Sequence, residues 1–244
     1  MMDNVVQSLW IGDRLTVMEK LAIRSFLANG HAFHLYCYDN VDGLPDGTIV
    51  KDGNEILPNS RIFTYSDGFA KGSPAAFSNF FRYKLLLEKG GWWVDTDVVC
   101  LRPFDLADER LWASERMDPP QELIVSTSVI KAPAGDELMA WAWQACQGMD
   151  TRKVMFGEIG PRLLHAGVNA LGLHAFMRPH TFFSPIPFYD WGKVLDPSHT
   201  FVFGTEVYGV HLWNQMWSAN HVDKDALYPV ECFYERLKRR FLTG

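Results

Sequence analysis

Asp95 and Asp97 are the residues in this sequence whose type and spacing best suit chemistry. They stand two apart, directly after the apolar run Trp92-Trp93-Val94, which reads as a short strand. In extended chain such a pair points to one side. Two carboxylates held side by side repel unless a proton or a cation lies between them. A hard divalent metal with oxygen ligands is the natural occupant. The spacing therefore predicts a metal held where a sheet strand runs out, the edge at which open α/β sheets bind their ligands.

A bare D-x-D is weak evidence, and the chain carries its own control. Asp223-Lys224-Asp225 repeats the pattern with no apolar strand and no Gly-Gly turn before it, and it reads as a solvated loop. The first pair differs in what precedes it. Ser73 and Pro74 read as a helix start. Phe77, Phe81, Leu85 and Glu88 mark one side at helical spacing, and Leu86 and Leu87 widen the apolar face. Gly90-Gly91 stops the helix, because glycine takes positive φ at little cost. Helix, tight turn, buried strand and paired acids follow one another without a break.

That context resembles the sugar-binding region of DXD glycosyltransferases. The matching residues are Ser78, Asn79, Arg82, Tyr83, Gly90, Gly91, Asp95, Thr96, Asp97 and Val98. The resemblance is to the family 32 type, distantly similar to clostridial glucosylating toxins and to enzymes that make α-linked galactose or mannose. Weaker similarity reaches Trp10-Ile11-Gly12 upstream and His211-Leu212-Trp213 downstream. The resemblance implies an α/β fold of the GT-A nucleotide-diphospho-sugar transferase type, a mainly parallel mixed sheet flanked by helices. It also implies a retaining, metal-dependent transfer, with Mn2+ or Mg2+, from a nucleotide-diphosphate sugar, a UDP-sugar first, to a saccharide or lipid-linked acceptor. Surface polysaccharide or glycolipid synthesis is the process that analogy suggests.

The same resemblance assigns roles. Trp10 is the candidate to stack on the base. Position 79 and Arg82 lie where relatives hold ribose and diphosphate. Arg82 keeps the cationic fork suited to phosphate. Most relatives carry Asp where this chain has Asn79, which keeps hydrogen bonding and loses the charge. Asp97 and Asp95 are the metal and catalytic candidates. In the stretch Val207–Trp217, His211 and Trp213 share a face if the chain is extended. His211 is the candidate third metal ligand, or else a hydrogen-bond donor to diphosphate. Trp213, Asn214 and Trp217 are candidates to line the diphosphate or sugar pocket. Ser126, Thr127 and Ser128 fall where relatives carry a small polar group near the sugars.

The rest of the chain bounds these readings. With 244 residues the chain can bury roughly 70% of its unfolded surface. Hydrophobic residues make up 48% and charged residues 21%, as in ordinary globular proteins. The net charge of −6 gives no global basic field for nucleic acid. The four cysteines have no metal spacing, and Cys37 and Cys100 fall in strands as buried thiols. No basic and apolar leader opens the sequence, which suggests a cytosolic enzyme of bacterial type. His31 and His34 would point to opposite faces of a strand, which argues against a metal pair.

Val5–Trp10, Thr16–Asn29 and Ala32–Tyr38 read as strand, helix and strand, a βαβ unit that predicts a parallel sheet. No linker or repeat splits the chain. The expectation is one domain, residues 1–244, with a nucleotide-binding part over about 1–105 and an acceptor-side part over about 106–244. The tail Tyr234–Phe241 is short, basic and partly amphipathic, a solvated helix or a weak membrane-surface contact at the inner face of the membrane. Two other classes stay open. V-D-T-D-V superficially matches a haloacid dehalogenase-like phosphohydrolase, although there the pair usually ends the first core strand. A non-catalytic nucleotide-sugar-binding module is the other, favoured by Asn79.

Overall fold

The computed structural model describes residues 5–117 and 122–243. Strand β1 (Val5–Leu9), helix α1 (Val17–Ala28) and strand β2 (Ala32–Cys37) form the expected βαβ unit. β1 and β2 pair in parallel, from Val5 opposite Ala32 to Leu9 opposite Tyr36. The short β3 (Ile49–Asp52) extends the sheet beyond β2, again in parallel. The expectation about a leader rests partly on residues 1–4, which lie outside the described residues.

Helix α2 (Ala75–Lys89) leads into β4 (Gly91–Val94), which lies beside β1 in parallel. The connection demands glycine twice over. Gly90 takes φ 65°, and a Cβ there would stand 2.5 Å from the backbone nitrogen of Ala134. Trp92 and Trp93 are both fully buried, on opposite faces, as strand alternation requires. Each removes on the order of 150–250 Å² from water. This pins the register of β4, and so the height at which Asp95 leaves the sheet.

β5 (Val98–Cys100) turns away from the main sheet. β6 (Leu111–Arg116) and β7 (Leu123–Ala132) then form an antiparallel pair, and β7 runs antiparallel to β4. The sheet order is β3-β2-β1-β4-β7-β6. β6 is antiparallel to β7, and β7 to β4, so only β7 opposes the common direction. This is the mainly parallel mixed sheet expected from the sequence.

Helices α3 (Glu137–Gln147) and α4 (Pro161–Leu171) follow. The carboxylate of Asp136 accepts the amides of Leu138 and Met139 at 2.9 and 3.1 Å and so starts α3. Together with α2 they cover one sheet face, where Phe77, Phe81, Leu138 and Leu164 pack with Trp93 and Ile130. On the other face Ile23 and Phe26 of α1 pack with Phe33, Leu35 and Trp92. β8 (Gly209–His211) pairs antiparallel with β5, placing His211 opposite Val98. Helices α5 (Asn214–Ala219) and α6 (Phe233–Leu242) close the described chain.

The structure corrects four local expectations. Asp95 to Val98 is not extended: the Val98 amide bonds to the Asp95 carbonyl at 3.1 Å, a tight turn. The stretch after His211 is not a continuing strand, because Trp213 takes φ 59° and the chain enters α5. Asp223-Lys224-Asp225 is not simply solvated; it is tied to α1. The tail helix α6 is not solvated all round, since Tyr234 and Leu237 are buried in a cluster with Met18 and Leu21 of α1. The buried-thiol expectation holds. All four cysteines are buried and unpaired. His31 sits in the core, its Nε2 accepting the amide of Phe104 at 2.9 Å. Among the described residues no helix is long and apolar enough to cross a membrane.

Candidate active site

A cavity of about 620 Å³ opens where β1 and β4 end. This is the C-terminal edge of the parallel strands, where α/β sheets leave room for ligands. Trp10 and Ile11 line it from the end of β1, Ser78, Asn79 and Arg82 from α2, and Asp95 to Asp97 from the turn after β4. Glu115, Ser126 and Ser128 reach it from β6 and β7. His211, Trp213 and Asn214 close it from the β8–α5 junction.

Asp95 is held from two sides. Its Oδ1 accepts the Trp93 indole N–H at 2.8 Å and pairs with the Arg82 guanidinium at 3.0 Å. Arg82 is buried and fixed by its own contacts. It donates to the Ser78 carbonyl and hydroxyl at 3.2 and 2.9 Å, bonds the Thr127 carbonyl, and lies 4.7 Å over the Trp93 ring. Burial pushes the Asp95 carboxyl above the usual range, with the Asp97 charge adding to it and Arg82 opposing.

Asp97 is buried and more tightly bound. Its Oδ2 accepts the Asn214 amide at 2.7 Å and lies 3.1 Å from Nε2 of His211. Its carbonyl accepts the Leu212 amide at 2.9 Å. Burial alone would raise this carboxyl. The His211 ring and the Asn214 amide outweigh it and hold the group below its ordinary value. Burial likewise works against a charged His211, but the Asp97 carboxylate, with Asp95 and Glu115 behind it, holds the imidazole above its ordinary value.

The left-handed backbone at Trp213 is what produces this arrangement. It breaks the strand after His211 and aims the first amide of α5 at Asp97. The Trp213 ring lies tilted against His211 with centroids 3.9 Å apart and donates its N–H to the Ile186 carbonyl at 2.8 Å. A bulky residue at positive φ is strained. Here the ring contact with His211 and the hydrogen bond hold it in place.

Asp95, Asp97 and His211 each offer a ligand atom within 4.8 Å of the others. Two carboxylates and an imidazole are a donor set suited to manganese or magnesium. Nδ1 of His211 is buried with no hydrogen-bond partner. The residues therefore fit a divalent cation.

The other sequence candidates divide. Trp10, Asn79, Arg82 and Trp213 all line the cavity. Asn79 donates to the Ala75 carbonyl at 3.2 Å, while its Oδ1 is buried and unpartnered. Trp217 is in the core instead. It is fully buried, bonds the Leu212 carbonyl at 2.8 Å, and packs against Trp191 and Tyr234. Sequence reasoning missed Glu115, whose partner Ser126 arrives only through the β6–β7 pairing.

Comparisons with known proteins bear on the family and the fold. Residues 27–117 match the family described as glycosyltransferase sugar-binding region containing DXD motif. Over those residues the chain is similar to a DXD glycosyltransferase sugar-binding region. The match spans α2, the Gly-Gly turn, Asp95 and Asp97, and runs through β6. The solved structure titled PaToxG glycosyltransferase aligns over 100% of this chain and 86% of its own, at 12% identity and a TM-score of 0.52. At that identity the likeness speaks for a glycosyltransferase fold of the GT-A type. The apo-form glycosyltransferase GlyE of Streptococcus pneumoniae TIGR4 aligns over 100% of this chain and 64% of its own, at 11% identity and a TM-score of 0.43. No curated protein matches the sequence.

Proposed function

We propose that this glycosyltransferase transfers a sugar from a nucleotide-diphosphate sugar, a UDP-sugar first, to a saccharide or lipid-linked acceptor, and that it depends on a divalent metal. The observation that carries the reading is the convergence of Asp95, Asp97 and His211 on the wall of a cavity that also holds Arg82 and Trp10. When bound, Mn2+ or Mg2+ would act as a Lewis acid toward the diphosphate leaving group. Asp95, Asp97 and His211 would hold it.

The chain's own residues have separate tasks in this reading. Trp10 offers an aromatic face to the base. Arg82, fixed by Ser78 and Trp93, offers charge to the diphosphate without reorganising. Asn79, with its free Oδ1, offers hydrogen bonding toward the ribose. We keep, as part of the proposal, a nucleotide part over about 1–105 and an acceptor part over about 106–244. Trp10, Asn79, Arg82 and the paired aspartates come from the first, and Glu115, His211 and Trp213 from the second.

Retention of configuration needs no general base from the protein, and we assign none. A role in surface polysaccharide or glycolipid synthesis on the cytoplasmic side belongs to the same proposal. Any contact of α6 with a membrane surface would fall to its exposed basic residues, such as Arg239, because its apolar side already faces α1.

Isothermal titration with UDP, GDP and their sugars, with manganese and with chelator, tests the reading. The expected result is metal-dependent binding of one nucleotide and its sugar. Release of inorganic phosphate from simple phosphate esters without nucleotide binding would favour a phosphohydrolase. Nucleotide-sugar binding without turnover would favour the binding module.

A further inference from the structure

Glu115 is a buried carboxyl group on the cavity wall. It is 8% exposed. Its neighbour Arg116 turns away and contacts His180 at 2.9 Å. No ion pair involves Glu115 among the described residues; burial raises its carboxyl above the ordinary range, with the Ser126 hydroxyl and the His211 ring opposing. It also stands outside the group of Asp95, Asp97 and His211, so the metal site does not account for it.

A carboxylate removed from water is costly unless donors or a cation meet it. One serine hydroxyl leaves most of its acceptor sites open. The surroundings are arranged by the β6–β7 pairing. Glu115 stands opposite Ile124, and Ile124, Ser126 and Ser128 line the cavity at alternate positions of one strand. Ser126 and Ser128 hydroxyls lie 3.0 Å apart. The result is a wall with one strong acceptor, the Ser126 and Ser128 hydroxyls and the apolar Ile124 side chain, with Thr127 of the same strand also in the lining. It is near enough to the paired aspartates that Asp95 and Glu115 feel each other's charge.

A pyranose matches that wall. Its hydroxyls donate, its ring oxygens and hydroxyls accept, and its C–H face is apolar. We infer that Glu115, backed by Ser126 and Ser128, is the residue that recognises the donor sugar by accepting hydrogen bonds from its hydroxyls. This rests on the nucleotide-sugar reading above. It assigns the sugar end of the donor to β6 and β7, away from the nucleotide end at Trp10 and Arg82.

The two ends can be tested apart. Titration of UDP and of the UDP-sugar that binds, both with manganese, gives the gain in affinity due to the sugar. Glu115→Gln keeps the shape of the side chain and removes its charge. The UDP affinity should stay within about twofold, which also shows that the fold is intact. The sugar's gain should fall by about tenfold or more, the scale of hydrogen bonds to a charged group. Should Glu115→Gln disturb folding, Ser126→Ala is expected to reduce the same ratio, because it frees the carboxylate. An unchanged ratio in a folded variant would overturn the inference, as would a wild-type protein that binds UDP and UDP-sugars equally. A wild-type protein that binds no nucleotide would overturn the functional reading itself, and this inference with it.

Discussion

The chain uses the D-x-D pattern twice, at Asp95-Thr96-Asp97 and at Asp223-Lys224-Asp225, and the two copies meet opposite surroundings. The first follows a buried strand and lies in a turn at a cavity wall. Asp95 and Asp97 lie close to each other and to His211 there. The second is consumed by the protein. Asp225 accepts the amide of Val17, the first residue of α1, at 2.7 Å and pairs with Arg14 at 3.6 Å. Asp223 accepts the Asp225 amide at 2.8 Å. Lys224 reaches the buried Glu19 at 2.6 Å. A carboxylate that caps a helix is not free to hold a cation. The pattern alone therefore says little; what decides is whether the strand and turn before it leave carboxylates facing one another.

The largest expected difference between the two copies is in catalysis. Asp97→Ala removes a carboxylate from the candidate metal site and from the Asn214 amide, and turnover should fall by on the order of 10²–10³ or more. Steady-state rates with the donor identified by titration check this, with Asp225→Ala expected within about twofold of wild type.

The next difference is in stability, and it runs the other way. Lys224→Ala leaves Glu19 buried and without its cation. The expected loss is about 3 kcal/mol. Thermal melting should show it as a drop of roughly 6–12 °C for a chain of this size. Turnover at low temperature should stay near wild type. A Lys224→Ala protein that melts with the wild type would mean that the second D-x-D does not support α1.

The smallest effect belongs to Asp225→Ala. It removes a helix-cap acceptor, which costs about 1 kcal/mol. A melting shift of roughly 2–4 °C is expected. Glu19 still accepts the Thr16 amide at 2.8 Å, so the start of α1 is held by a second contact.

Much of this was legible in sequence. The βαβ unit, α2, the Gly-Gly turn and β4 each followed from local signals, as did the pairing of Asp95 with Asp97, while Arg82 and Asn79 came from the family resemblance. Trp217 was misplaced because the extended reading of Val207–Trp217 had no signal for the left-handed turn at Trp213. Once the chain enters α5, Trp217 faces the core instead of the cavity. The second D-x-D was misread because its partner Glu19 lies 205 positions away. Glu115 was missed because a single acid in a strand carries no pattern of its own. Local propensity fixes elements; the contacts that make a site or satisfy a buried charge come from the topology.

Electron paramagnetic resonance of Mn2+ in the presence of UDP tests the central claim most directly. Titrations of the wild type, Asp97→Ala and Asp225→Ala should divide cleanly. The account predicts bound manganese in the wild type and in Asp225→Ala, and free manganese in folded Asp97→Ala. Bound manganese that survives Asp97→Ala but is lost in Asp225→Ala would contradict it, because the cation would then sit at the copy of the pattern that the fold has already used.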